Sequence, residues 1–226
     1  MNNELTWKHH LYGEAWRTPE KDNLPGLIPQ LSQRVGMLRR LANLVPKPRF
    51  KMLCQGIFDS KILYCLQVFG HVWGFGYDET VRRISGFTKE DSRKVQVLQN
   101  KVCRMKTGLG YDVSTEQLMK ASKDLSVHQL TAYHTLVTVH KVKTSHKPKY
   151  LDDRLKYKPG NEDGPQRQLN KIHIDQRLNL ARAGFIYRGG HLWNQLPDGL
   201  RTLSKTGQFK KRARCWVEQN VKIKPW

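Results

Sequence analysis

Residues 27–54 read LIPQLSQRVGMLRRLANLVPKPRFKMLC, and the spacing of their apolar side chains decides the fold class. Leu27, Leu31, Val35, Leu38 and Ala42 recur at intervals of three and four, the repeat of a helix with one buried stripe. Arg34, Arg39 and Arg40 lie off that stripe. Pro46 and Pro48 end this helix and are placed to start another, since proline is tolerated in a first turn. The segment that follows, RFKMLCQGIFDSKILYCLQVFGHVWG at 49–74, is apolar around most of its circumference and is expected to be a buried central helix.

Outward from there the helical signals continue. Thr88-Lys89-Glu90-Asp91 is a variant capping box that opens a helix bearing Val95, Leu98, Val102 and Met105, and Gly108 supplies its stop. Ser114 with Gln117 and Ser126 with Gln129 fit the same N-terminal signature, the second launching an expected stripe of Leu130, Tyr133, Val137 and His140. Gly13, Pro19, Pro25 and Gly26 make residues 1–26 a lead-in segment. Pro148, Pro159, Gly160, Gly164 and Pro165 among many charges make a loop or linker near 145–170. Near the end, GGHLWNQLPDGLR reads as a turn and SKTGQFKKRARCWVEQ as a basic amphipathic helix with Phe209, Ala213, Trp216 and Val217 on its apolar face. The expected fold is mostly α: a helical domain at 27–144, a basic loop or linker at 145–190, and a smaller helical region at 191–226.

Charge narrows the function. Of 226 residues, 40 are Lys or Arg and 19 are Asp or Glu, a net charge of +21. Such an excess favours a polyanionic partner, most often nucleic acid, with an anionic membrane surface as the rival. No apolar run approaches the ~20 residues of a membrane span, and MNNELTWKHH has no signal-peptide core. No membrane partner is expected, and the expected location is intracellular, nuclear or cytoplasmic. Cys54, Cys65, Cys103 and Cys215 are scattered, with no C-x-x-C pair. They suggest neither a zinc ribbon nor a disulfide framework, and Cys54 and Cys65 read as core residues.

Two basic clusters are the candidate nucleic-acid-binding residues: Arg34, Arg39, Arg40, Lys47, Arg49 and Lys51, and then Lys210, Lys211, Arg212 and Arg214. Either set can track phosphates or serve as a solvated basic face. Trp216 is placed to stack on a base or, with Phe209 and Ala213, to pack inward. Lys210–Arg214 is also a nuclear-localisation candidate.

Other patterns carry less. Tyr150-Leu151-Asp152-Asp153 has the Y-x-D-D form with which polymerases hold two metal ions. Its flanks, His146-Lys147-Pro148-Lys149 and Arg154-Leu155-Lys156, supply no apolar strands to fix a hairpin. Asp152 and Asp153 are therefore expected to cap or solubilise the start of a short helical turn. His128, His134, His140 and His146 recur every six residues, a spacing that turns successive side chains by about 120° around a helix and gives no shared metal face. Gly74-x-Gly76 lacks the lysine and helix start of a phosphate loop. No catalytic residue, metal ligand or cofactor site is assigned.

Several stretches, in order, resemble the region after the palm in reverse-transcriptase-like proteins of non-LTR (LINE-type) retrotransposons. ELTWKHHL at 4–11 resembles an L-x-W-x-x-H segment that follows the palm strands. Residues 32–74 resemble the thumb, VQVLQNKVCRMKTG at 95–108 a conserved-pattern helix of that family, and LSVHQLTAYHTLVTVHKVKTSHKPKYLDDRL at 125–155 a helix ending in P-x-Y-L. HLWNQLPDGLRTLSKTGQFKKRARCWV at 191–217 resembles the family's closing pattern. On this resemblance the fragment would contact template–primer or element RNA through basic helices, with the missing fingers and palm as a further partner. Met1 stands where the palm would have ended, and the zinc-knuckle spacing of some relatives is absent. The parent family would be an RNA-directed DNA polymerase, and this piece is not expected to polymerise alone. The alternative is a non-catalytic protein-interaction module or an inert retroelement remnant.

Overall fold

A computed structural model describes residues 23–63, 89–156, 171–174 and 185–222. The chain is mostly α, and among the described residues no strand forms. The first helix, α1, spans Asn23–Leu41. The residues that the sequence singled out are its buried face: Leu27, Leu31, Val35 and Leu38 are at most 8% exposed. Burying each such side chain stabilises the fold by about 1.5–3 kcal/mol. The helix begins before Leu27, so residues 23–26 of the expected lead-in are already helical, and residues 1–22 lie outside the described set.

Helix α2, Lys47–Cys54, starts behind Pro46 with a proline in its first turn, as the sequence anticipates. It then widens into a π-helical turn, Gln55–Asp59, before one more helical stretch to residue 63. The expectation of burial all round is corrected here. Phe50, Cys54, Phe58 and Ile62 form one buried stripe, while Met52 is 71% exposed. A four-residue repeat drifts by about 40° per step on an α-helix. The π turn, with its longer i→i+5 rings, slows that drift and keeps the stripe aimed at α1. The rest of the 49–74 segment lies outside the described residues.

Helix α3, Lys89–Thr107, packs Val95, Leu98 and Val102 against α1 and α2 to complete a first core. Gly108, at φ +78°, ends it as expected. Two of the three predicted capping boxes form, Ser114 with Gln117 at the start of α4 (Thr115–Ser122) and Ser126 with Gln129 at the start of α5 (Val127–Ser145), while Thr88 of the third lies outside the described residues.

The central buried helix is α5. Its deep positions are Ala132, Leu136 and Val139, with Val142 beyond, whereas Leu130 and Tyr133 of the expected stripe are only half-buried. The reason lies in its polar residues, which are satisfied internally. Gln129 Nε2 donates to the Val221 carbonyl (3.0 Å), Thr131 Oγ1 to the Val127 carbonyl (2.8 Å), and His140 Nε2 sits 2.8 Å from the Leu203 carbonyl. Such partners remove the cost of burying a polar group.

Against α5 pack α7 (Phe185–Asn194) and α9 (Thr206–Asn220), with the short α6 (Lys149–Asp152) and α8 (Asp198–Arg201) at the margins. Together they form a second core around Trp193, Phe209, Ala213 and Val217. The expected turn at Gly189–Gly190 is corrected: both glycines lie inside α7. A Cβ on Gly189 would stand 2.9 Å from Val139, and one on Gly190 3.2 Å from Ile174, so the pair lets α7 approach α5 and the 171–174 segment closely. Asn194 holds that segment by both amide atoms, accepting from Ile172 N (2.8 Å) and donating to Ile172 O (2.9 Å). Within the stretch read as linker, Leu155 and Ile172 are each 1% exposed and belong to this second core.

Candidate nucleic-acid interface

The first basic cluster gathers on a knuckle made by the last turn of α1, the 42–46 connection and the first turns of α2. Arg39, Arg40, Lys47, Arg49 and Lys51 are all exposed there. Residues 23–58 contain no Asp or Glu, so these charges have no acidic neighbour in their own segment. Arg34 differs. It is half-buried, and its guanidinium donates to the Ile57 carbonyl in the π turn, tying α1 to α2. Met37, Leu44 and Met52 are also exposed on this knuckle, at 49%, 77% and 71%.

The second cluster rides on α9. Phe209, Ala213 and Val217 are buried, and Trp216 packs on the second core at half-burial, as its place on the apolar stripe implies. At about 100° per residue, Lys210 and Arg214 flank the buried stripe on one side, Lys211 points outward and Arg212 lies beyond. All four are exposed. Arg214 is already engaged: Nη2 donates to the Lys123 carbonyl (2.6 Å) and Nε to Glu218 (3.1 Å). That leaves Lys210, Lys211 and Arg212 as the freer cations of the set.

One side chain that the sequence did not single out, Lys141, joins this face. Lys141 of α5 and Lys210 of α9 both act on His134, whose imidazole is pushed down to about 4 by burial first and by the two lysines second. The i, i+7 relation of His134 to Lys141 is visible in the sequence, but nothing local announces that Lys210 faces them.

A buried ionic knot lies elsewhere, where the π turn, α3 and the loop after α4 meet. Lys106, with its side chain 5% exposed, stands 3.6 Å from Asp59 and 3.1 Å from Asp124. Burial would lower the lysine, but the two carboxylates outweigh it and hold the ammonium above its ordinary value. One positive charge shared by two acids leaves Asp59 raised, mainly by its burial. Cys103 donates to Asp124 (3.3 Å), and burial pushes its thiol to about 12 and that of Cys54 to about 11. Both are unreactive core thiols at neutral pH. Cys215 is exposed, and Cys65 lies outside the described residues.

The Y-x-D-D residues sit on and after α6. Pro148 is the N-cap, so the carboxylates are not caps: Asp152 closes the helix and meets His146 Nδ1 at 2.9 Å, and Asp153 follows it exposed. The four spaced histidines part company. His128 and His140 are buried, His140 stacks on Phe209 at 4.0 Å, and His146 is exposed at the end of α5. Among the described residues no group of His, Cys, Asp or Glu is placed to hold a metal ion, and no helix is long and apolar enough to cross a membrane. No family model, curated protein or solved structure matches this chain.

Proposed function

We propose that the chain is a nucleic-acid-binding module that grips a phosphate backbone through its basic helices, in the manner of the thumb and post-polymerase region of a retroelement reverse transcriptase. The observation that carries this reading is the knuckle: Arg39, Arg40, Lys47, Arg49 and Lys51 all exposed, in a segment without a single acid. Cations that have no carboxylate partner among the described residues are available to displace condensed counterions from a phosphate backbone. Contacts of this type set position and affinity without reading sequence. The ordered family resemblance of the sequence supports assigning the grip to template–primer or element RNA. No catalytic step is assigned.

A second reading has its own support. Met37, Leu44 and Met52 expose apolar surface in the same stretch of chain as the basic cluster, and exposed apolar surface suits a protein partner. The fingers and palm of a polymerase are the partner that the resemblance suggests.

Fluorescence anisotropy with an RNA–DNA hybrid, an RNA hairpin and a single strand of equal length tests the first reading. Preference for the hybrid or hairpin supports a thumb-like grip. Equal affinity for all three reduces the chain to a polycation, and no binding at moderate salt favours the protein-partner reading.

A further inference from the structure

Helices α5 and α9 meet along an exposed seam as well as through their buried faces. They run antiparallel: Gln129 near the start of α5 bonds to Val221 after the end of α9, and His140 near the end of α5 stacks on Phe209 near the start of α9. On α5, His134 and Lys141 are seven residues apart and lie within about 20° of one face. On α9, Lys210 and Arg214 are four apart and flank the buried stripe on the side that faces them. Lys210 acts on His134 and Arg214 on Tyr133, in keeping with the antiparallel register. The bond from Arg214 to the Lys123 carbonyl fixes one end of the seam, and exposed Lys123 extends its charge there. The rings of Tyr133 and His134 meet edge to face at 5.1 Å, both half-buried. With its pKa near 4, the His134 ring is neutral at pH 7.

We propose that the α5–α9 seam binds a single nucleic-acid strand, with Lys141 and Lys210 on neighbouring phosphates and the Tyr133 ring stacking on a base. The proposal deepens the nucleic-acid reading above and rests on it. A single row of cations suits one backbone rather than the two of a duplex. From Tyr133 to Lys141 the row runs eight residues, about 12 Å of helix, room for a few nucleotides. A positive groove beside an aromatic ring is the combination with which proteins hold single strands regardless of sequence. Arg214, committed to Lys123 and Glu218, acts as a positioning residue that fixes α9 against α4.

The test uses the full chain and a labelled oligouridylate, with a duplex of equal length as comparison. Lys141→Gln with Lys210→Gln is set against Lys94→Gln with Lys101→Gln, which removes the same charge from the exposed face of α3. The seam pair should weaken single-strand binding roughly tenfold and flatten the dependence of log K on log salt by about 1.4, or 0.7 for each of two phosphates. The α3 pair should do far less, and the seam pair should leave duplex binding nearly unchanged. Tyr133→Leu should weaken the single strand about fivefold or more with the salt slope intact, the signature of a lost stack. Thermal unfolding of each variant shows whether the fold survives. Because the lysines are exposed, the charge comparison stands even where Tyr133→Leu destabilises the core. Equal losses from the seam and α3 pairs, or equal losses on duplex and single strand, would overturn the seam while leaving general nucleic-acid binding in place. No binding of either ligand by the unaltered chain would overturn both.

Discussion

The two larger cores among the described residues are built by different means. The first, between α1, α2 and α3, is made of aliphatic stripes at helical spacing, with Leu31, Leu38, Phe58 and Val102 at its centre and one ionic knot on its border. The second, between α5, α7 and α9, is made of rings and close backbone approach. Trp193 and Phe209 lie 5.7 Å apart, His140 stacks on Phe209, and Gly189 lets α7 settle onto Val139. Helix α5 serves both, with Val127 in the first core and Ala132 to Val142 in the second. Periodicity in one segment suffices to specify the first kind of core. The second depends on fit between segments far apart in the chain.

The sharpest way to break the contrast is at the second core's centre. Trp193→Ala should cost about 4 kcal/mol, since the wholly buried ring leaves a cavity under rigid neighbours. Urea unfolding measures this, and a single transition for both cores is expected because α5 joins them. Lys106→Ala should cost about 3 kcal/mol by leaving the half-buried Asp59 and Asp124 side by side without their cation. Gly189→Ala should cost about 2 kcal/mol, as the new methyl meets Val139 on a helix that cannot shift freely. The same change at Gly36 in α1, where nothing stands within 4 Å, should be neutral or stabilising. Ser114→Ala is the smallest expected loss, at about 1 kcal/mol for a lost cap.

Acid should also separate the regions. His134 is held at about 4 in the fold against an ordinary 6.5, so the unfolded chain takes up its proton first. Stability from keeping it neutral is complete above pH 6.5 and is lost as pH falls toward 4. Burial lowers His140 and His191 in the same direction, and both belong to α5 or α7. Thermal melts across pH 7 to 4 should show this decline, and His134→Gln should flatten it.

Sequence pattern made α1, the capping boxes at Ser114 and Ser126, the Gly108 stop and the buried face of α9 legible, because each is a local rule obeyed locally. It did not reveal that α5 is the central helix. Gln129, Thr131, His128 and His140 dilute its apolar signal, and two of their partners, Val221 and Leu203, are far away in the chain. Gly189–Gly190 looked like a turn because glycine's use in close packing shows only when Val139 and Ile174 are in place. The basic residues were found as clusters, but their roles were not. Arg34 and Arg214 are spent on carbonyls of other helices, while Lys141 joins Lys210 only through the α5–α9 pairing.

The central claim is that the exposed, acid-free knuckle holds a phosphate backbone, and a salt titration of duplex binding tests it most directly. Replacing Arg39, Arg40 and Arg49 together by glutamine should leave the melting temperature nearly unchanged. The slope of log K against log salt should become shallower by about 2.7, or 0.9 for each of three phosphates. A slope and affinity equal to those of the unaltered chain would show that the knuckle does not touch the backbone, and would contradict the account.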